Sequence, residues 1–264
     1  MNDAVAVPPI ADLLSLDGQR ALVTGGSGNI GQGIALRLAE AGADIVVHFH
    51  ADAGGAQETV DAIAAIGGKA GSLQANLTRP GEVAAMFEEI DASGRPVNCV
   101  VNNAGAYPVQ PFADMSAGDW QRVMAANLDS AVNVSQEAIR RMREHGGGRI
   151  VNIASTEGMD PAHGHSHYAA GKAGLLMLTR SLTLEYAAVG IRTNAVSPGL
   201  IERDGIADNW PDGVRRWLEK APLARMGDTA DVADAVLFLL SPASRWISGV
   251  NLAVDGGMSS APRW

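Results

Sequence analysis

The chain has 264 residues, 47% of them hydrophobic, which is long enough for one large core and short for two independent ones. A net charge of -9 without any clustered basic stripe argues against a nucleic-acid partner, and no apolar run is long enough to cross a bilayer. The single cysteine, Cys99, excludes an internal disulfide and suits a reducing cytoplasm.

Residues 1–15 read as an N-terminal extension of one domain that fills the rest of the chain. The extension carries Asp3, Asp12 and a Pro8-Pro9 break but no basic leader, so a signal peptide is not expected. A first strand at 20–25 runs into the glycine-rich "TGGSGNIG" of Thr24 to Gly31, and a helical pattern follows at 30–42. Strands at 44–49, 69–75 and 98–103 then alternate with helical patterns at 55–67 and 81–94. A long helix at 118–146 leads to a strand at 148–155, and another at 167–190 leads to a strand at 191–197. Leu200 to Leu223 breaks the alternation and is a candidate substrate lid, with Trp210 and Trp217 either covering substrate or packing. A helix at 229–241 and a strand at 250–256 close the chain. Such alternation predicts a three-layer, doubly wound, Rossmann-like α/β fold with a seven-stranded parallel sheet covered on both faces.

A glycine turn between the first strand and a helix lets backbone approach a pyrophosphate at a helix N-terminus. Two spacings fit the turn: Gly26, Gly28, Gly31, and Thr24, Gly25, Gly28, Gly31. Tyr168 and Lys172, four apart on a helix, share one face, and an ammonium beside a phenol favours the tyrosinate needed for general acid/base work. Ser155 also reads as a strand-end cap, and Asn127 as a mid-helix residue bonding locally.

"TGGSGNIG", "NNAG" at Asn102 to Gly105, Asn127, "NIAS" ending at Ser155, "YAAGK" and "SPG" at Ser197 to Gly199 together resemble the short-chain dehydrogenase/reductase family, in order, from about Leu16 to Met258. The branch resembled includes 3-oxoacyl-carrier-protein reductases and secondary-alcohol and sugar dehydrogenases. The resemblance implies that Tyr168 passes the proton, Ser155 hydrogen-bonds the reacting oxygen, Lys172 holds the nicotinamide ribose and lowers the phenol pKa, and Asn127 positions a water that relays protons to Lys172. It implies an NAD(P)-dependent oxidoreductase that interconverts a secondary alcohol and a ketone or reduces a 3-oxoacyl group. A sugar or polyol dehydrogenase is one alternative, and a non-catalytic dinucleotide-sensing regulator is another. A homotetramer acting on a small molecule is the implied assembly.

The cofactor-binding set implied is Thr24, Gly25, Gly26, Ser27, Gly28, Asn29, Ile30 and Gly31 in the turn, and His48, Phe49 and His50 after the second strand. Asn76, Leu77, Asn103, Ala104, Gly105, Tyr168, Lys172, Pro198, Gly199 and Ile201 complete it. Asn29 stands where the branch has a turn glycine; we expect it to adopt a left-handed backbone and to bond within the loop or to a phosphate. Phe49 replaces the usual Asp, which favours NADP over NAD, with His48 and His50 as the cations near a 2'-phosphate. His163, His165 and Arg203 are candidate substrate contacts. The alternating His163, His165 and His167 invite a zinc reading, but no cysteine or carboxylate cluster joins them and no metal is expected.

Overall fold

A computed structural model describes residues 7–260, so the first six residues of the N-terminal extension lie outside the described residues. The strands are β1 (Arg20–Val23), β2 (Asp44–Phe49), β3 (Lys69–Gln74), β4 (Cys99–Asn102), β5 (Gly148–Ile153), β6 (Ile191–Pro198) and β7 (Asn251–Val254). All pair in parallel in the order β3-β2-β1-β4-β5-β6-β7. The chain direction across the sheet reverses between β1 and β4, which opens a crevice at their carboxyl ends.

Alternate strand residues feed two cores, because a strand's side chains point to opposite faces. Val23, Val47, Val101, Val151 and Val196 face α1 (Asn29–Glu40), α2 (Ala53–Ala65) and α9 (Thr229–Leu240). Leu22, Val46, Val100 and Ile150 face α3 (Pro80–Ala92) and α5 (Ser130–Glu144). Burial on both faces explains why the strands read as nearly unbroken apolar runs.

The predicted helix at 118–146 is divided. α4 (Ala117–Met124) passes through one π-helical turn at Ala125–Asp129 before α5 begins. The wide turn faces α6 (Ser166–Tyr186), where Gly171 leaves room for the Asn127 side chain and Gly174 for Leu128. Periodicity alone does not reveal such a turn, because it adds one residue without ending the helix. The candidate lid contains α7 (Ile206–Asn209) and α8 (Pro211–Lys220). Trp217 of α8 packs on Gly199 and donates its indole N–H to the Arg225 carbonyl at 3.1 Å, so it is a packing residue.

Candidate active site

The glycine turn is built by close approach. Gly25 takes φ of +62°, open to glycine at little cost, and a methyl group at Gly31 would overlap the Gly25 carbonyl oxygen. Gly28 is the extended N-cap of α1 with open space where a side chain would stand. Asn29 corrects an expectation: it is the first helical residue of α1 rather than a left-handed turn residue. Its side chain leaves the loop altogether and donates from Nδ2 to the Glu202 carbonyl at 2.9 Å.

Thr24 and His48 are also corrected. Thr24 is buried, and its Oγ1 accepts from the backbone N–H groups of Asn103 (2.9 Å) and Ala104 (3.0 Å), joining the turn to the end of β4. Asn103 completes the joint by donating from Nδ2 to the Thr24 and Gly25 carbonyls. His48 accepts from the Gly25 N–H on Nδ1 and sits 3.0 Å from the Ala75 carbonyl on Nε2, which requires the proton on Nε2. Burial pushes its pKa down to about 4, so it is a neutral strut and cannot serve as a cation for a 2'-phosphate.

A cleft of about 400 Å³ lies at the carboxyl ends of β1, β4, β5 and β6. Gly25, Gly28, Asn29, Ile30 and Gly31 line one wall; Asn103, Ala104, Gly105, Asn127, Ser155, Tyr168 and Lys172 line the other, and Pro198, Gly199, Ile201 and Arg203 close it from the lid side. Gly26, Ser27, Phe49, His50, Asn76 and Leu77 stand outside the cleft lining. The Asn76 side chain accepts from Thr78 instead, and Leu77 is buried.

Ser155 lies two residues past β5 and caps the following turn by accepting from the Glu157 N–H at 3.1 Å. Lys172 is buried and donates to the Ile153 carbonyl at 2.7 Å, with its Nζ 5.6 Å from the centre of the Tyr168 ring. Burial pushes Lys172 down to about 8. Tyr168 is pushed up to about 12, first by burial and further by the Glu157 charge, while a hydrogen bond with Ser155 opposes both. Burial therefore sets the direction, and the phenol is raised rather than lowered as expected. Asn127 donates to the Ala106 (2.6 Å) and Val123 (2.9 Å) carbonyls, leaving its buried Oδ1, beside Gly105, without a partner among the described residues.

Among the lining residues that sequence reasoning missed are Tyr107 and Glu157. Tyr107 stands edge-on to Tyr168, with ring centres 6.2 Å apart, and carries the Arg203 guanidinium 5.2 Å above its face. Glu157 pairs with His165 at 2.8 Å, and that imidazole is in turn edge-on to Tyr168. The available signals were their positions two residues beyond "NNAG" and two beyond Ser155. His163 is exposed and lies outside the cleft lining, whereas His167 is buried and accepts from the Tyr168 N–H. The three histidines thus point to different surroundings, and among the described residues no cluster could hold a metal ion.

Residues 25–259 match the family described as enoyl-(acyl carrier protein) reductase. The 3-oxoacyl-[acyl-carrier-protein] reductase FabG of Staphylococcus aureus is 37% identical over 239 residues, covering 90% of this chain and 97% of that protein. The chain belongs to the short-chain dehydrogenase/reductase family. Two solved members of the family superpose closely. One is a gluconate 5-dehydrogenase from Burkholderia cenocepacia in complex with NADP and tartrate, 32% identical with a TM-score of 0.90 over 95% of this chain and 99% of that one. The other is a 7α-hydroxysteroid dehydrogenase complexed with NADH and a 7-oxo bile acid, 35% identical with a TM-score of 0.89 over 95% and 98% of the two chains. No described helix is long and apolar enough to cross a membrane.

Proposed function

We propose that this family member is an NAD(P)-dependent oxidoreductase that interconverts a secondary alcohol and a ketone, including a 3-oxoacyl ketone. The observation that carries the reading is the meeting of Ser155, Tyr168, Lys172 and Asn127 on one cleft, opposite the glycine turn. The residues fit a dinucleotide. The first turn of α1 bears no acidic side chain, Gly28 leaves open space, and Asn127 Oδ1 is a buried acceptor with no partner. Gly25, Gly28 and Gly31 would hold the pyrophosphate and Lys172 the ribose, with Pro198, Gly199 and Ile201 walling the nicotinamide end.

Bound nicotinamide supplies or accepts the hydride at the carbinol carbon. Tyr168, held protonated by burial, gives the proton to the carbonyl oxygen during reduction. Ser155 hydrogen-bonds that same oxygen and steadies the charge developing on it. Lys172, brought down to about 8, exchanges protons near neutral pH, and Asn127 Oδ1 is placed to hold a water beside it. NADP is favoured over NAD because Phe49 ends β2 without a carboxylate to repel a 2'-phosphate.

A second, finer reading concerns the substrate. Arg203 has no carboxylate partner among the described residues and lies over Tyr107, and Glu157 lines the same cleft. That polarity suits a hydroxy acid whose carboxylate meets Arg203 and whose hydroxyl meets Glu157. The gluconate 5-dehydrogenase neighbour is named for a substrate of this kind. We read the assembly as a cytoplasmic homotetramer, supported by the exposed Met177 and Leu184 on α6, an apolar face available to a second copy. The test is a panel of ketones, sugar acids and alcohols with each cofactor, followed through the absorbance of the reduced nicotinamide. Turnover that falls by about 10³-fold in Tyr168→Phe supports the enzyme; cofactor binding without turnover on any substrate favours a sensor.

A further inference from the structure

At the opposite end of the sheet lies a second cavity, of about 620 Å³, whose lining differs in charge from the rest of the molecule. It is framed by Gln19 and Asn98 just ahead of β1 and β4, by the Gly146–Gly148 turn, and by 241–248 after α9. Arg149, Arg192, Arg245 and His145 line it, and no carboxylate does, in a chain whose net charge is -9.

Arg149 and Arg192 are register partners on the parallel strands β5 and β6, so two guanidinium groups leave the same face side by side. Both are partly buried. Arg149 donates from Nη1 to Gln19 Oε1 at 3.0 Å and approaches Cys99 Sγ at 3.8 Å. Arg192 donates from Nη1 to the Ile247 carbonyl at 3.0 Å and from Nη2 to the Ser241 carbonyl at 3.3 Å. These neutral acceptors leave Nε and Nη2 of Arg149 and Nε of Arg192 without a protein acceptor among the described residues. Arg245 is exposed on the rim and pairs with no carboxylate among the described residues. Several other arginines do have such partners, as Arg95 does with Asp44 and Arg141 with Asp91. Burial and then the Arg149 charge push Arg192 down to about 10, as expected of a cation that lacks a counter-ion.

Like charges placed together on neighbouring strands are unfavourable, and a dianion between them reverses the sign of the interaction. We infer that this cavity is a binding site for a phosphate group, held by the forks of Arg149 and Arg192 with Arg245 closing from the rim. Phosphate matches the planar, bidentate donor geometry of guanidinium groups. The group could arrive as free phosphate or as a monoester, whose organic part would extend toward the fully exposed Trp246.

The test titrates inorganic phosphate and, separately, glycerol phosphate into the full chain by calorimetry, at constant ionic strength and with NADPH present to occupy the glycine turn. Saturable binding that weakens about tenfold in Arg245→Ala and in Arg149→Gln is the expected result, with cofactor affinity unchanged. Tighter binding of the ester identifies a monoester as the ligand; equal binding identifies free phosphate. Arg149→Gln keeps a polar group beside Gln19, and if it fails to fold, Arg245→Ala alone decides, since its side chain makes no hydrogen bond or ion pair among the described residues. Binding that is non-saturable, reproduced by chloride, abolished by NADPH, or equal in Arg245→Ala and the natural chain overturns the assignment.

Discussion

Asn29 Nδ2 and the carbonyl of Glu202 are joined by a 2.9 Å hydrogen bond that ties the glycine turn to the segment following β6 at the cleft. Glu202 is itself held by its N–H to the Gly227 carbonyl at 2.8 Å, so the strap is anchored on both sides where it leaves β6. Removing the amide in Asn29→Ala costs about 1 kcal/mol, roughly a fivefold change. The expected outcome is a KM for cofactor and substrate raised by about that factor with Tm almost unchanged. A drop in Tm of many degrees with KM intact would show that the bond serves the fold instead.

Lys172 and Tyr168 give stability opposite dependences on pH. The lysine's folded pKa, about 8, lies below its ordinary 10.5, so the unfolded chain binds more protons between those values and stability rises with pH there. The tyrosine's folded pKa, about 12, lies above its ordinary 10.0; its contribution is complete below pH 10 and is lost as pH rises through 12. Comparing the natural chain with Lys172→Met by urea unfolding at pH 7 and pH 10 should show the difference moving in favour of the natural chain, by on the order of 3 kcal/mol. A difference independent of pH would mean that the ammonium is not desolvated.

Thr24 Oγ1 accepts two backbone N–H groups and donates to the Val101 carbonyl, and the isosteric Thr24→Val leaves the Ala104 N–H without a partner while Asn103 keeps only the Val101 carbonyl. We expect a loss of about 2–3 kcal/mol in chemical denaturation. Because Thr24 acts through the position of the turn, cofactor affinity should also fall, and Thr24→Ser should restore both.

Arg203→Ala should raise KM for carboxylate-bearing substrates about tenfold or more while leaving uncharged ketones within twofold, read from initial rates on matched pairs. Equal losses on both members of each pair would assign the side chain to cofactor or to packing on Tyr107.

All seven strands, their order of appearance and most helices between them could be read from alternating patterns, because a strand buried on both faces and an amphipathic helix leave clear apolar periods, whereas the break between α4 and α5 and the short α7 and α8 left none. Most of the residues now lining the cleft were likewise nameable from short motifs, whereas Tyr107 and Glu157 were not. Local pattern carries no information on which side-chain atoms are already occupied. Thr24 and His48 sit in the motif neighbourhood of a ligand, yet contacts from β4 and the glycine turn consume their polar atoms. Asn29 reaches Glu202, 173 positions away in the chain, and that partner is invisible to any local reading.

What the amino-acid order determined by itself was the alternation, the glycine turn and the helical pairing of Tyr168 with Lys172, since each depends on neighbours within one element. Tertiary structure alone decided the protonation balance of that pair, the π turn that carries Asn127 inward and the side-by-side Arg149 and Arg192. Desolvation and charge proximity depend on everything packed around a group, and packing brings together residues that the chain keeps far apart.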